Sequence, residues 1–259
     1  MDRNFLRAEV LPLLASRWPA YRQTVARARG HLAAASVALD EALGVPATVH
    51  SALGDPGLAL GPLLTGSAEV AAIRLRAWLR SLGFRVPDRV ALAEFLRQLR
   101  AAAADASPGL ACGGWSLRRY REAVYLLPDF AAPPPQVPLA LAPGERLVVP
   151  GVGAVTLQAA ATGDLWLAPG EQLALRWRRG GERCRLPGRA GSRSLKTLLQ
   201  ELDVPPWWRD RVPLVCLGDE LLAVGDLARC ASERWRRADQ PGDNRWKLSW
   251  ERRASAGSD

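Results

Sequence analysis

The chain has 259 residues, 48% of them hydrophobic, enough for one large domain or two small ones with a packed core. It holds no run of about 18 apolar residues, and its N-terminus has an acid at Asp2 and no long apolar stretch, so neither a membrane span nor a signal peptide is expected. The formal net charge of +9 favours acidic partners such as RNA or DNA. That total is discounted, because of 35 basic residues only Lys196 and Lys247 are lysine, the mark of an arginine-rich coding bias. Local clustering of charge is therefore better evidence than the sum.

Residues 1–19 read as a bridging helical segment. Asp2 is placed to cap it, Phe5, Leu6, Val10, Leu13 and Leu14 are apolar, and Pro12 is expected to kink or split it. A helix is predicted over about residues 20–43, where Val25, Ala28, Leu32, Leu39 and Leu43 recur at helical steps and Gly44 supplies a stop. Residues 44–66, rich in Gly and Pro, read as loop. Ser67 caps a helix to Leu82, with Val70, Ile73, Ala77 and Trp78 on one face and Gly83 beyond it. Asp88 caps another to about Ala103, burying Leu92, Phe95, Leu96 and Leu99. The period then changes, and 115–120 and 123–127 read as a hairpin turning at Arg121 and Glu122.

Residues 20–127 are thus expected to form a helical domain ending in a small hairpin. The proline-rich stretch 128–144 reads as a stiff linker. Residues 145–250 read as a smaller α+β domain, making the whole chain α+β. Strands are predicted at 146–149, 154–158, 165–167, 172–178, 212–217, 221–224 and 245–250, with a Gly218-Asp219 hairpin turn. Ser194 or Ser192 caps a helix at 195–202 whose Leu195, Leu198, Leu199 and Leu202 share a face. Residues 251–259 read as a frayed tail.

The densest chemistry lies in 176–211. From Arg176 to Lys196 there are eight cations, namely Arg176, Arg178, Arg179, Arg183, Arg185, Arg189, Arg193 and Lys196, against one acid, Glu182. Arginine forks suit phosphate oxygens, the interleaved glycines let a backbone approach closely, and the following helix adds a positive dipole end. The pattern predicts a polyanion site, and the competing reading is a solvated loop. Further on, Trp207 and Trp208 beside Arg209 and Arg211 can stack on bases, though at least one tryptophan is expected to cover the core instead.

Support for other chemistry is lacking. Cys112, Cys184, Cys216 and Cys230 are far apart without a C-x-x-C pair, so neither a zinc site nor a disulfide framework is expected, and a reducing cytoplasm fits. His31 and His50 have no helical partner and read as surface or loop residues. Neither a G-x-x-x-x-G-K-[ST] loop nor a G-x-S-x-G elbow occurs. No catalytic residue and no metal site are assigned.

The run GGERCRLPGRAGSRSLKTLLQELDVPPWWRDRVPLVCLGDELLAV resembles the C-terminal domain of the bacterial tRNA(Ile)-lysidine synthetases. DRNFLRAEVLPLLASRWP resembles that family's bridging segment, and LRAWLRSLGFRVPDRVALAEFLRQLR with LRRYREAVYLLP its helical middle domain. Gly181, Arg183, Arg189, Ser194, Leu195, Lys196, Trp207, Arg209, Arg211 and Pro213 match the family pattern. The resemblance implies an enzyme that uses ATP to attach lysine to the wobble cytidine of an isoleucine tRNA. The family's ATP-pyrophosphatase loop, S-G-G-x-D-S, does not occur in this sequence. On this reading the chain is the tRNA-binding portion, not catalytic alone. ATP and lysine are used by the family's N-terminal domain, and the chain reads as the product of a truncated, split or misassigned reading frame, a separate catalytic chain being the partner expected of a split one. The expected RNA contacts are Arg176, Arg178, Arg179, Arg183, Arg185, Arg189, Arg193, Lys196, Arg209 and Arg211. The alternative from another class is a docking module whose basic surface meets an acidic protein.

Overall fold

The computed structural model describes residues 2–103, 106–130, 132–161, 164–235 and 244–252. They fall into two units, one drawn from Met1–Thr48 and Ala59–Ala101, the other from Val49–Leu58 and Ala102–Asp259. Helices and antiparallel sheets are both present, so the fold is α+β. Most of the tail expected at 251–259 lies outside the described residues.

In the first unit, α1 (Asp2–Phe5) and α2 (Leu11–Arg17) are joined by a π-helical turn at Leu6–Val10. Pro12 sits in the first turn of α2, where its missing N–H removes no helical bond. The widened turn ahead of it, closed by the Leu11 N–H on the Leu6 carbonyl, replaces the expected break. Helix α3 (Tyr21–Leu43) forms where expected and ends at Gly44. Its apolar stripe is not buried: Val25, Leu32 and Leu39 are all exposed.

The stretch expected as loop contains β1 (Val49–His50), β2 (Pro56–Ala59) and α4 (Leu60–Leu64). Helix α5 (Ala68–Ser81) begins at Ser67, whose hydroxyl accepts the Val70 N–H at 3.3 Å. It buries Leu75, Trp78 and Leu79, and the Trp78 indole N–H donates to Thr48 Oγ1 at 2.9 Å. Helix α6 (Arg89–Ala101) is capped by Asp88, whose Oδ1 accepts the N–H groups of Val90 and Ala91 at 2.9 Å. Leu92, Phe95, Leu96 and Leu99 are buried as the period predicts.

In the second unit, β3 (Gly109–Ala111), β4 (Trp115–Tyr120) and β5 (Ala123–Pro128) form antiparallel pairs, with Arg121 in the left-handed region at the predicted turn. They join a five-stranded sheet in the order β1-β2-β5-β4-β3. Strand β2 approaches β5 so closely that a Cβ on Gly57 would lie 2.7 Å from the Val124 carbonyl oxygen. Within the expected linker, Leu139–Leu141 forms an edge strand, β6. The prolines before it lack donors, but Leu139, Ala140 and Leu141 keep theirs.

Strands β7 (Arg146–Val149), β8 (Gly153–Ala159), β9 (Leu165–Trp166) and β10 (Leu173–Arg176) follow close to the predicted places. Then come β11 (Arg183–Cys184), β12 (Arg193–Ser194), α7 (Leu195–Glu201), α8 (Pro206–Arg209), β13 (Leu214–Leu217), β14 (Glu220–Val224), β15 (Ala228–Arg229) and β16 (Arg245–Arg252). A five-stranded sheet runs β15-β14-β13-β10-β6, a four-stranded sheet β7-β8-β16-β9, and β11 pairs with β12 alone. Leu157, Leu175, Leu199, Val215, Leu222, Trp208 and Trp250 lie in one shared core.

Candidate nucleic-acid interface

The basic stretch folds as a two-stranded ribbon, with Arg183 opposite Ser194 and Cys184 opposite Arg193. Side chains along a strand alternate faces, so Cys184 is buried while Arg183 and Arg185 are exposed. Cys184 is bonded to Cys230, with Cα atoms 5.4 Å apart. This corrects the expectation that the cysteines form no disulfide framework, and the argument for a reducing compartment loses that footing. Sequence spacing hid the pair because the partners are 46 residues apart and only the ribbon's docking brings them together. The Ala231 N–H donates to the Arg185 carbonyl at 2.5 Å beside the disulfide.

The ribbon's tip is closed by Arg183, whose Nε donates to Ser192 Oγ at 2.8 Å and whose Nη2 donates to the Ser192 carbonyl at 2.6 Å. The side chains of Arg185 and Arg189 in the tip, and of Lys196 in the first turn of α7, are exposed and engage no described residue. The expected dipole site at the start of α7 is not built. The helix has seven residues, its Leu195 N–H is held by the Glu182 carbonyl at 2.9 Å, and its Thr197 N–H by Ser194 Oγ at 3.2 Å.

The remaining predicted cations are held by the protein itself. Arg176 Nη2 donates to the Gly218 carbonyl at 2.8 Å. Arg178 pairs with Asp210 at 3.4 Å, Arg179 donates to the Gln136 carbonyl, and Arg193 pairs with Glu201. Arg209 Nε donates to the Val204 carbonyl at 2.9 Å. Arg211 is turned inward, giving Nη1 to the carbonyls of Ala132 (2.7 Å) and Gly151 (3.1 Å) and lying 4.1 Å from the Phe130 ring centroid. Burial lowers its guanidinium pKa from the ordinary value.

Of the tryptophan pair, Trp208 covers the core as expected of at least one of them, and Trp207 is half-buried. Trp208 is buried, and its indole N–H donates to Asp55 Oδ1 at 2.9 Å and Oδ2 at 3.0 Å. The Trp207 indole N–H reaches Asp55 Oδ2 at 3.1 Å, and Ser51 Oγ donates to the same oxygen at 2.7 Å. Trp207 packs against Tyr120 and Tyr125, and Trp208 stands edge-on to Phe130 and Trp250. Burial, aided by Asp203 and Asp55, raises the Tyr125 hydroxyl pKa. Trp208 offers no platform for a base, whereas Trp207 is half-buried and borders a cleft with Gly109, Leu110 and Arg118. Asp55 was missed by the sequence reading. Its only local signal is Ser51, whose hydroxyl accepts the backbone N–H groups of Leu53 and Asp55 and so shapes the turn.

The family model described as the TilS substrate binding domain matches residues 58–125, and that of the TilS substrate C-terminal domain matches 173–250. A tRNA(Ile)-lysidine synthase of Serratia proteamaculans is 36% identical over 97% of this chain. The chain belongs to the tRNA(Ile)-lysidine synthase family. The synthases of Alkalilimnicola ehrlichii and Methylococcus capsulatus are 38% and 34% identical over 87% and 90% of it. The chain spans about half the length of these synthases, covering 56%, 51% and 54% of them. A crystal structure of a TILS C-terminal domain covers 46% of the chain at 25% identity with a TM-score of 0.37, too loose a likeness to carry an argument. The ribbon, α7, the tryptophan pair and the disulfide all fall within the match to the synthase C-terminal domain. Among the described residues no helix is long and apolar enough to cross a membrane.

Proposed function

We propose that the chain is the tRNA-binding portion of a tRNA(Ile)-lysidine synthase, and that the ribbon tip grips the phosphates of an isoleucine-accepting tRNA. Its support is the coincidence of two substrate-handling domain matches with a tip whose Arg185, Arg189 and Lys196 point no charge at the protein itself. Uncommitted cations release counterions when phosphates replace them, which gives affinity and salt dependence. Arg176, Arg178, Arg179, Arg183, Arg193 and Arg209 then serve as a second rank, already ordered by their protein partners. On this reading, ATP and lysine are handled by a part of the synthase that this chain does not carry. No residue here takes a catalytic role.

The test is tRNA binding by the full chain across a salt series. If about five phosphates are neutralised, log affinity falls against log salt with a slope of roughly −3.5 to −4.5. Failure to bind an isoleucine tRNA transcript at low salt refutes the proposal.

A further inference from the structure

Helix α3 carries an apolar seam that no described residue covers. Val25, Leu32 and Leu39 recur every seven residues, and Ala28, Ala35 and Ala42 follow each of them three residues later. That alternation of three and four is the spacing of a coiled-coil seam, held here over three heptads. Val25, Leu32 and Leu39 are 62%, 73% and 49% exposed, and among the described residues none of α3 belongs to the core. Gly30 sits in the middle of the helix, on the side away from the seam. A helix of 23 residues with a central glycine gains little from propensity, and such helices are held by packing of an apolar face. Neither substrate-handling match, 58–125 or 173–250, reaches α3, and the RNA reading above makes no use of it.

The order of the side chains narrows the occupant. When two copies of α3 run antiparallel about a two-fold axis between Ala33 and Ala34, Val25 meets Ala42 of the second copy, Ala28 meets its Leu39, and Leu32 meets its Ala35. Every layer then sets one large residue against one alanine, and the helices close evenly to the near end of the roughly 8–10 Å range of helix spacings. Parallel copies would stack leucine on leucine and alanine on alanine, leaving wide and narrow layers in turn. Charge agrees with the antiparallel order. Arg22, Arg27 and Arg29 lie in the first half of α3 and Glu41 in its last turn, so antiparallel copies bring unlike charges together where parallel copies align arginine with arginine. A partner of unrelated sequence places no demand that α3 complement its own reverse. We propose that α3 pairs with α3 of a second copy of this chain as an antiparallel coiled coil, making the chain a two-fold dimer.

The test is the solution mass of the full chain by analytical ultracentrifugation at tens of micromolar, without RNA. The expected species has twice the 28.1 kDa of one chain. Leu32→Glu puts a charge from each copy into the central layers and weakens the dimer by about a hundredfold or more, since an unpaired charge is costly in an apolar seam. Val37→Glu alters an apolar residue of the same helix, 56% exposed but on the side away from the seam, and leaves the dimer as it was. Orientation is read by mixing an Ala28→Cys chain with a Leu39→Cys chain under oxidising conditions. Peptide mapping then recovers position 28 linked to position 39, and neither variant alone links to itself through these positions. A native chain that sediments as a monomer overturns the proposal and leaves the seam to the part of the synthase that this chain does not carry. A dimer that Leu32→Glu leaves intact, or that Val37→Glu weakens as much, puts the interface elsewhere and overturns it too. A link between two copies of position 28 overturns the antiparallel order. The tRNA-binding reading stands or falls apart from all of these outcomes.

Discussion

Two arginine-rich, glycine- or tryptophan-bearing segments, the ribbon tip at 185–192 and the turn at 205–211, look alike in sequence and behave oppositely in the fold. In the tip, the side chains of Arg185 and Arg189 are exposed and engage no described residue. In the turn, Trp207 and Trp208 converge on Asp55, Arg209 holds Val204, and Arg211 holds Ala132 and Gly151. Residue type does not separate them. What does is whether a buried acceptor waits nearby: the turn meets a carboxylate and several carbonyls, whereas the tip meets solvent. Buried donors must be satisfied, so the turn's polar groups are committed to structure. The tip's charges remain available to a partner.

That contrast is breakable by experiment. The largest effect is expected in the turn: Trp208→Ala empties a core position and lowers unfolding free energy by about 3–5 kcal/mol, read from a urea melt. A loss under 1 kcal/mol would mean that Trp208 is not a core residue. Next comes the staple under the ribbon. Replacing Cys184 with Ser opens a loop of 46 residues and costs about 2–4 kcal/mol. Peptide mapping without reductant should recover Cys184 linked to Cys230, with Cys112 and Cys216 as free thiols. Asp55→Ala strands two indole N–H groups and costs about 1–3 kcal/mol, with tRNA affinity per folded molecule unchanged. Smallest in stability is the triple change Arg185→Ala, Arg189→Ala, Lys196→Ala, which should leave the melt within about 0.5 kcal/mol of native. It should flatten the salt slope of tRNA binding by about 2–3. A triple variant that unfolds, or one that binds tRNA with the native slope, would erase the distinction between the two segments.

What was legible in the sequence was local. Ser67 and Asp88 announce α5 and α6 because a cap bonds within three residues, and the hairpin at β4–β5 turns within two. Buried leucines of α7 follow from their spacing alone. Interactions across long separations were not legible. Asp55 meets Trp207 and Trp208 across 152 and 153 residues, and nothing near Asp55 distinguishes it from an ordinary turn aspartate. The same limit hid the Cys184–Cys230 bond and the strand at Leu139–Leu141, whose partner β10 lies more than thirty residues on. At the candidate site, the basic stretch was visible as a cluster, but its division into engaged and unengaged cations was not. That division depends on acceptors at Gln136, Ser192, Glu201, Val204, Asp210 and Gly218, which only the fold brings near.

The disulfide has a topological consequence. With Cys184 joined to Cys230, the tip, β12, α7, α8, β13 and β14 all lie on one covalent ring. Exposed arginines in a loop invite trypsin-like proteases, and the tip offers Arg185 and Arg189. A cut at either position opens the ring without releasing a fragment, so the nicked chain still runs as one species on a denaturing gel until a reductant is added. The fold can therefore leave its most vulnerable loop in the open and still hold both of the cut ends.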